Sequence, residues 1–224
     1  MATPDLVFVE DGAAGSEITL VLAHGAGAPM DSQFMSWWAT ALAERAVRVV
    51  RFEFPYMRQR RQSGAKRPPD REAVLLDTWR AVAGQWPGAA IGGKSMGGRI
   101  ASMVADEVGA AALVCLGYPF HAPGRPEKPR TAHLKSLATP ALIVQGSNDP
   151  FGRRDEVSEY PLAAGIQFAW IEGGNHDLER RGAAPEQAWL DGVDRVTEFL
   201  RGRIGQPDAR LGPRISAERG RLRR

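Results

Sequence analysis

The segment Ile91-Gly92-Gly93-Lys94-Ser95-Met96-Gly97-Gly98 lies between a short apolar run and the start of a helical pattern. Its centre matches G-x-S-x-G, with a glycine two positions before and two positions after Ser95. Such glycines allow a strand-to-helix turn too tight for side chains, and that turn exposes the serine hydroxyl. We therefore predict Ser95 as a nucleophile and the N–H of Met96 as an oxyanion donor. The alternative is a glycine-rich helix cap with a surface serine.

The same alternation of apolar runs and helical patterns extends along the whole chain. Apolar runs rich in β-branched residues predict seven strands, at 6–10, 18–23, 47–54, 89–93, 111–117, 141–145 and 167–171. Helical spacing of apolar residues predicts helices at 70–83, 100–108 and 189–200. This alternation is typical of an α/β fold, in which a mostly parallel twisted sheet carries helices on both faces.

A second glycine-rich loop, His24-Gly25-Ala26-Gly27, follows the predicted strand 18–23. Its small residues allow the backbone to approach a substrate closely, so we expect the N–H of Ala26 or Gly25 to be a further oxyanion donor. In that arrangement His24 is structural and holds the loop through a ring hydrogen bond. The alternative is a plain glycine-rich turn.

An acid and a histidine follow two later strands. Asp149 lies in Gly146-Ser147-Asn148-Asp149-Pro150, and His176 lies in Gly173-Gly174-Asn175-His176. A carboxylate at a strand tip suits the task of fixing a histidine tautomer, and flanking glycines let a loop carry the histidine toward Ser95. The alternatives are ordinary turn chemistry for Asp149, and a surface histidine or lone metal ligand for His176. No second histidine at ligand spacing lies nearby, so we expect no metal and no cofactor.

Two segments interrupt the alternation. Residues 56–70 are strongly basic, and we predict a long loop at the carboxyl edge of the sheet. Residues 118–130 contain four prolines, which exclude a regular helix or central strand and leave too few residues for a cap domain. Trp37 and Trp38 fit helix packing better than pocket lining. The candidate substrate-binding residues near this edge are Arg58, Arg60, Arg61, Lys94 and Tyr118. For the basic segment, the alternative is a solvated loop without a ligand.

The chain has 224 residues, of which 43% are hydrophobic and 25% charged, and this composition excludes disordered, coiled-coil and collagen-like classes. Its net charge of +3 arises at the end of the chain: residues 201–224 hold eight arginines against Asp208 and Glu218, a net of +6, which leaves −3 for residues 1–200. We predict one domain at 1–203 and a basic, disordered tail at 204–224. The tail has no aromatic residue, which argues against a single-strand nucleic-acid partner.

The remaining features favour a cytoplasmic location. The single cysteine, Cys115, excludes an intramolecular disulfide, and its apolar neighbours indicate a buried strand position. No run of eighteen apolar residues and no signal-peptide pattern occurs, so we expect no membrane partner. The sequence leaves the oligomeric state open.

Taken together, the four loops resemble the α/β-hydrolase family, in which the nucleophile, acid and base follow in the order Ser, Asp or Glu, His. Here that order is Ser95, Asp149 and His176. More narrowly, H-G-A-G-A-P-M-D-S, F-P-Y with its basic segment, and G-G-K-S-M-G-G-R are similar to a small dienelactone-hydrolase-like subgroup, with similar domains in subunits of eukaryotic chromatin-regulating complexes.

The resemblance covers about residues 5–202. It implies an α/β-hydrolase fold and a serine hydrolase site, but it does not supply a substrate. Because the proline-rich segment is too short for a separate cap domain and the basic segment lies at the site edge, we expect esters or thioesters of small acyl substrates, acidic ones among them. Because the nucleophile position is Ser, dehalogenase, epoxide-hydrolase and Cys-type dienelactone chemistry are disfavoured. The alternative is a non-catalytic interaction module in a protein complex, since a fold does not by itself define a function.

Overall fold

A computed structural model describes residues 6–204 of the protein. Within that range a seven-stranded sheet is combined with six α-helices and one short 3-10 helix at Ala132–Lys135. The strands are β1 (Phe8–Asp11), β2 (Ile18–Ala23), β3 (Val47–Phe52), β4 (Ala90–Lys94), β5 (Leu113–Leu116), β6 (Ala141–Gly146) and β7 (Ile166–Ile171). The helices are α1 (Gln33–Ala43), α2 (Pro55–Ser63), α3 (Glu72–Ala83), α4 (Met96–Val104), α5 (Arg154–Ser158) and α6 (Pro185–Ile204).

The strand order in the sheet is β1-β3-β2-β4-β5-β6-β7. Strands β2 to β7 are parallel to one another, and only the edge strand β1 is antiparallel, pairing with β3 so that Phe8 lies opposite Phe52. The carboxyl ends of the six parallel strands therefore meet at one edge of the sheet. In open α/β sheets this edge is where ligands bind.

Apolar side chains fill a core layer on each face of the sheet. On one face, Trp38 of α1 and Val193 of α6 pack on strand residues such as Leu22. On the other, Trp79 of α3 and Ile100 of α4 do the same. Because both faces are covered, the central strands β2, β4, β5 and β6 are mostly apolar, as the sequence predicts.

The predicted fold class is confirmed, since the sheet is mostly parallel and carries helices on both faces. Residues 117–131 form no helix or strand, in agreement with their prolines, and no separate cap domain stands between β5 and β6. Cys115 is buried in β5 as expected, and burial raises the pKa of its thiol.

The prediction of a long loop at 56–70 is wrong in its first half, which forms α2. Pro55 starts this helix at a position that needs no N–H donor. Asp70 accepts a hydrogen bond from the N–H of Tyr56 at 2.9 Å, and Gly64 ends the helix at a φ of 68°. Apolar periodicity missed the helix because only Tyr56 and Met57 are buried among its mostly polar residues.

The last helix, α6, continues to Ile204, one residue past the predicted domain boundary. The predicted basic tail otherwise lies in residues 205–224, outside the described part of the chain. Among residues 6–204, no helix combines the length and the apolar character needed to cross a membrane.

Candidate active site

Ser95 occupies the turn between β4 and α4, with φ 51° and ψ −117°. A positive φ is unfavourable for a residue with a side chain, so the surrounding structure must hold this conformation. The Ser95 N–H donates to the carbonyl of Leu116 on the neighbouring strand at 3.0 Å. Gly97 allows the close approach on the other side, since a Cβ there would lie 2.5 Å from the Ala23 oxygen and 2.6 Å from the His24 oxygen.

Three predicted side chains meet at the carboxyl edge of the sheet, although 54 and 27 residues separate them in sequence. The Ser95 Oγ lies 2.8 Å from the His176 Nε2, and the His176 Nδ1 lies 2.8 Å from the Asp149 Oδ2. They follow β4, β7 and β6, respectively. The result is a continuous hydrogen-bonded path from a hydroxyl through an imidazole to a carboxylate.

The carboxylate of Asp149 is fully buried and has further donors. Its Oδ1 accepts from the N–H of Phe151 at 2.8 Å, and its Oδ2 also accepts from the Gln145 Nε2 at 2.9 Å. These donors satisfy both oxygens of the buried carboxyl group and fix its orientation.

Gln145 is a residue that sequence reasoning missed. It is completely buried near the end of β6, and its Oε1 accepts from the Tyr118 N–H at 2.7 Å while its Nε2 serves Asp149. One amide thus joins the loop after β5 to the acid. The available signal was a glutamine within an otherwise apolar strand, where a buried polar group needs partners.

The loop after β2 packs directly against the turn that carries Ser95. A Cβ on Gly25 would lie 3.7 Å from the Ser95 Cβ. The Tyr56 hydroxyl donates to the carbonyls of Ala26, at 3.0 Å, and Gly25, at 3.3 Å. These bonds orient the two peptide groups from the side of α2. The N–H of Met96 begins α4, where no preceding turn supplies an acceptor.

His24 supports the same loop from below. Its buried Nε2 accepts from the Phe54 N–H at 3.2 Å, which requires the proton to be on Nδ1, 2.7 Å from the Gly25 oxygen. Burial lowers the pKa of His24, while the bond to Gly25 opposes this shift. The neutral ring is therefore a structural support, as the sequence predicts.

Lys94 and Tyr118 were predicted to contact a substrate, and their burial contradicts that role. Lys94 is 7% exposed, and its Nζ donates to the His176 carbonyl at 2.6 Å. Tyr118 is fully buried, with its hydroxyl 3.3 Å from the His133 Nε2, and burial raises the pKa of that phenol. Their positions in the sequence correctly predicted that both residues lie at the carboxyl edge of the sheet. Those positions did not predict the direction of either side chain.

The three predicted arginines lie on α2, of which Arg58 and Arg60 are half-buried. Arg61 donates to Glu53 at 2.6 Å and to Asp31 at 2.8 Å, so two carboxylates neutralise its charge. Arg60 forms no ion pair with any residue in the described range and lines a cavity of about 260 Å³. The residues around this cavity are Pro29, Met57, Arg60, Arg61, Gly64, Ala65 and Lys66.

A larger cavity, of about 1030 Å³, lies between β7 and α6. None of the predicted catalytic, oxyanion or substrate-binding residues lines it. We place the candidate site at Ser95 because a catalytic site needs polar groups that converge on one point, and a large cavity without such groups does not provide them. In the described part of the chain, no three or more His, Cys, Asp or Glu side chains are grouped to hold a metal ion.

Comparison with protein families now assigns the class. The family model of the alpha/beta hydrolase domain matches residues 16–201, so the chain belongs to the α/β-hydrolase family. Comparison with curated proteins finds no match.

Solved structures with the same fold cover most of the chain. A dienelactone hydrolase from Anabaena variabilis has a TM-score of 0.68 at 19% identity, with 89% of this chain and 95% of that chain covered. An α/β serine hydrolase without a lid from Xanthomonas campestris has a TM-score of 0.66 at 19% identity, covering 88% of each chain. The Est1E protein from Butyrivibrio proteoclasticus, bound to ferulic acid, has a TM-score of 0.67 at 14% identity, covering 90% and 96%.

Proposed function

We propose that the protein is a serine hydrolase that cleaves carboxylic esters or thioesters through an acyl-enzyme. The observation that carries the proposal is the path from the Ser95 Oγ to His176 to Asp149, with 2.8 Å at each step. Hydrogen-bonded nucleophile, base and orienting acid together define nucleophilic acyl transfer.

In the proposed mechanism His176 accepts the Ser95 proton on Nε2 while the Oγ attacks the acyl carbonyl. Asp149 holds the proton on Nδ1 and stabilises the imidazolium. The imidazolium then gives its proton to the leaving oxygen or sulfur, and the acyl group remains on Ser95. In the second half His176 takes a proton from water, the hydroxide attacks the acyl-enzyme, and the proton returns to the Oγ as the acid leaves.

The oxyanion of each tetrahedral intermediate requires fixed donors. We assign this role to the N–H of Met96 and that of Ala26, with Gly25 as the alternative to Ala26. The Gly25 backbone packs on Ser95. Tyr56 and His24 both bond the Gly25 carbonyl, which lies in the same peptide group as the Ala26 N–H.

The direct test is labelling of Ser95 with a fluorophosphonate probe, together with hydrolysis of p-nitrophenyl acetate. We expect wild type to be labelled and active, and Ser95→Ala to lose both properties. The matched control is Ser136→Ala at an exposed serine, which should keep both. If the folded wild type is neither labelled nor active, the enzyme proposal is rejected and a non-catalytic interaction module is favoured.

We propose further that the substrates are small acyl esters, including acidic ones. Arg60 and Lys66 line the cavity of about 260 Å³ beside Pro29, and no acid lines it. Because Arg60 is one helical turn from Tyr56, the cavity flanks the proposed oxyanion loop. An uncompensated guanidinium binds a carboxylate well, and residues 6–204 include no separate cap domain to cover a long lipid.

The test compares p-nitrophenyl hemisuccinate with p-nitrophenyl esters of short and long neutral acids. We expect short esters to be preferred, and Arg60→Gln to lower kcat/KM for the hemisuccinate about tenfold while leaving the acetate unchanged. Arg125→Gln, at an exposed position away from the cavity, is the matched control. Equal losses for the charged and neutral esters would contradict this role. A cytoplasmic location, the absence of a cofactor and the absence of a nucleic-acid partner remain predictions.

A further inference from the structure

Lys94 is a buried cation that the proposed mechanism does not use. It ends β4 immediately before Ser95, yet its side chain points under the loop that carries His176. Its Nζ donates to the His176 carbonyl at 2.6 Å and lies 3.1 Å from the Asp177 Oδ1. The same ammonium lies 5.2 Å from the centre of the Phe34 ring, at the start of α1.

The residues around Lys94 leave space for the contact between its Nζ and the His176 carbonyl. Gly117 has a φ of 67°, and a Cβ there would lie 2.5 Å from the His176 carbonyl oxygen and 3.1 Å from the Lys94 Nζ. A side chain at that position would therefore occupy the space where the ammonium meets the histidine backbone. Asp177 is fixed from the other side, because its carbonyl accepts from the Trp189 indole at 2.9 Å.

We infer that Lys94 is a positioning residue that ties the backbone of the base to the backbone of the nucleophile and adjusts the charge around the imidazole. This inference rests on the proposed function for its catalytic meaning. The His176 ring is attached to the same residue whose carbonyl Lys94 holds, so the Nε2–Oγ distance depends on that bond. Small misplacement of a reacting group is enough to reduce turnover strongly.

The charge of Lys94 acts on the same group. Burial lowers the pKa of Lys94, and the carboxylates of Asp177, Asp149 and Glu179 oppose that shift. The contact with the Asp177 carboxylate at 3.1 Å favours the charged ammonium. A cation opposes the protonation of a neighbouring base, whereas a carboxylate favours it. Removing either charge should therefore move the protonation of His176, in opposite directions.

The experiment uses Lys94→Met and Asp177→Asn in the full chain, with Lys128→Met as the control at an exposed lysine. For Lys94→Met we expect kcat per labelled active site to fall at least about tenfold. We also expect the acid limb of kcat/KM to move to higher pH by about half a unit or more. For Asp177→Asn the limb should move to lower pH, and Lys128→Met should match wild type.

An NMR titration of the His176 ring gives a second readout that requires no turnover. Its pH midpoint should rise in Lys94→Met and fall in Asp177→Asn. Unchanged midpoints and an unchanged kcat per labelled site, with only a lower thermal midpoint, would overturn the inference and make Lys94 merely structural. If Lys94→Met does not fold, Asp177→Asn decides, and an unmoved midpoint there overturns the inference. An inactive, unlabelled wild type would instead reject the proposed function, and the ring titration would still test Lys94.

Discussion

Single residues at the candidate site are held in states that they would not adopt alone. Ser95 has a positive φ, which costs about 1–3 kcal/mol for a residue with a side chain. Asp149 is fully buried, and it is satisfied only because Gln145, Phe151 and His176 contribute hydrogen bonds. Contacts with neighbouring residues must therefore offset the free-energy cost of the Ser95 backbone conformation and of the buried Asp149 carboxyl group.

Gln145→Leu should reveal how much Asp149 depends on its buried neighbour. The change removes the amide donor 2.9 Å from the Oδ2 and the acceptor of the Tyr118 N–H. Losing partners of a buried charge should lower the free energy of unfolding by about 2–3 kcal/mol and reduce kcat. Urea denaturation and ester hydrolysis measure the two effects. Gln62→Leu at an exposed position should change neither, and a wild-type stability for Gln145→Leu would contradict the assignment.

Because of His24, the free energy of unfolding should be lower in mild acid than at neutral pH. Burial lowers its pKa below the 6.5 of a free histidine, so the unfolded chain takes up a proton on His24 before the folded protein does. This contribution is complete above the unfolded value and is lost as the pH falls below it, by at most about 1.4 kcal/mol per pH unit.

The measurement is urea denaturation of wild type and His24→Gln between about pH 8 and about pH 5. His24→Gln should be less stable than wild type at the upper end, because Phe54 and Gly25 lose their ring partner. Its stability should then fall less steeply below neutral pH. Parallel curves for the two proteins would rule out His24 as the titrating group.

At the level of elements, the turn between β4 and α4 is determined by how closely neighbouring backbones approach. Gly97→Ala should force the turn away from the loop after β2, because its Cβ would meet the Ala23 and His24 oxygens. We expect a loss of about 1–3 kcal/mol in unfolding free energy and reduced turnover. Gly202→Ala, in an open part of α6, should instead be neutral or slightly stabilising. Unfolding curves that rank the two variants equally would contradict this explanation.

Helix α2 shows where local pattern fails as a predictor of an element. The strands β2 to β7 and the turn after β4 could be predicted, because apolar runs and glycine positions are local signals. Helix α2 could not, since Asp70 caps it from outside and Arg61 is neutralised by Glu53 and Asp31, contacts that appear only on folding. Its position decides which arginines remain available beside the candidate site.

On the scale of the whole molecule, the parallel sheet brings the ends of β2, β4, β6 and β7 to one edge. The loops at those ends supply the site, and both core layers support them. Every contact that we assign to the site is made by residues between His24 and Trp189.

A chain ending at Ile204 should therefore retain the proposed activity. We expect its kcat/KM for p-nitrophenyl acetate to be within about twofold of that of the full chain, because none of the removed residues makes a contact that we assign to the site. A twofold change corresponds to only about 0.4 kcal/mol in activation free energy. Hydrolysis by the two purified proteins, with active sites counted by fluorophosphonate labelling, makes the comparison. A tenfold loss in the shortened chain would show that residues 205–224 contribute to the site.

The sequence alone predicted the order of strands and loops along the chain and the α/β-hydrolase class. It also predicted the candidate residues Ser95, Asp149 and His176. The strands and loops depend on periodicity and turn chemistry, which act between residues close in the chain, whereas the class followed from the resemblance of the four loops to a known family. The roles of Gln145 and Lys94, and the burial that removes Tyr118 from the substrate side, required the folded structure. Burial and hydrogen-bond partners are set by elements that pack together from distant parts of the chain, and no local pattern specifies that packing.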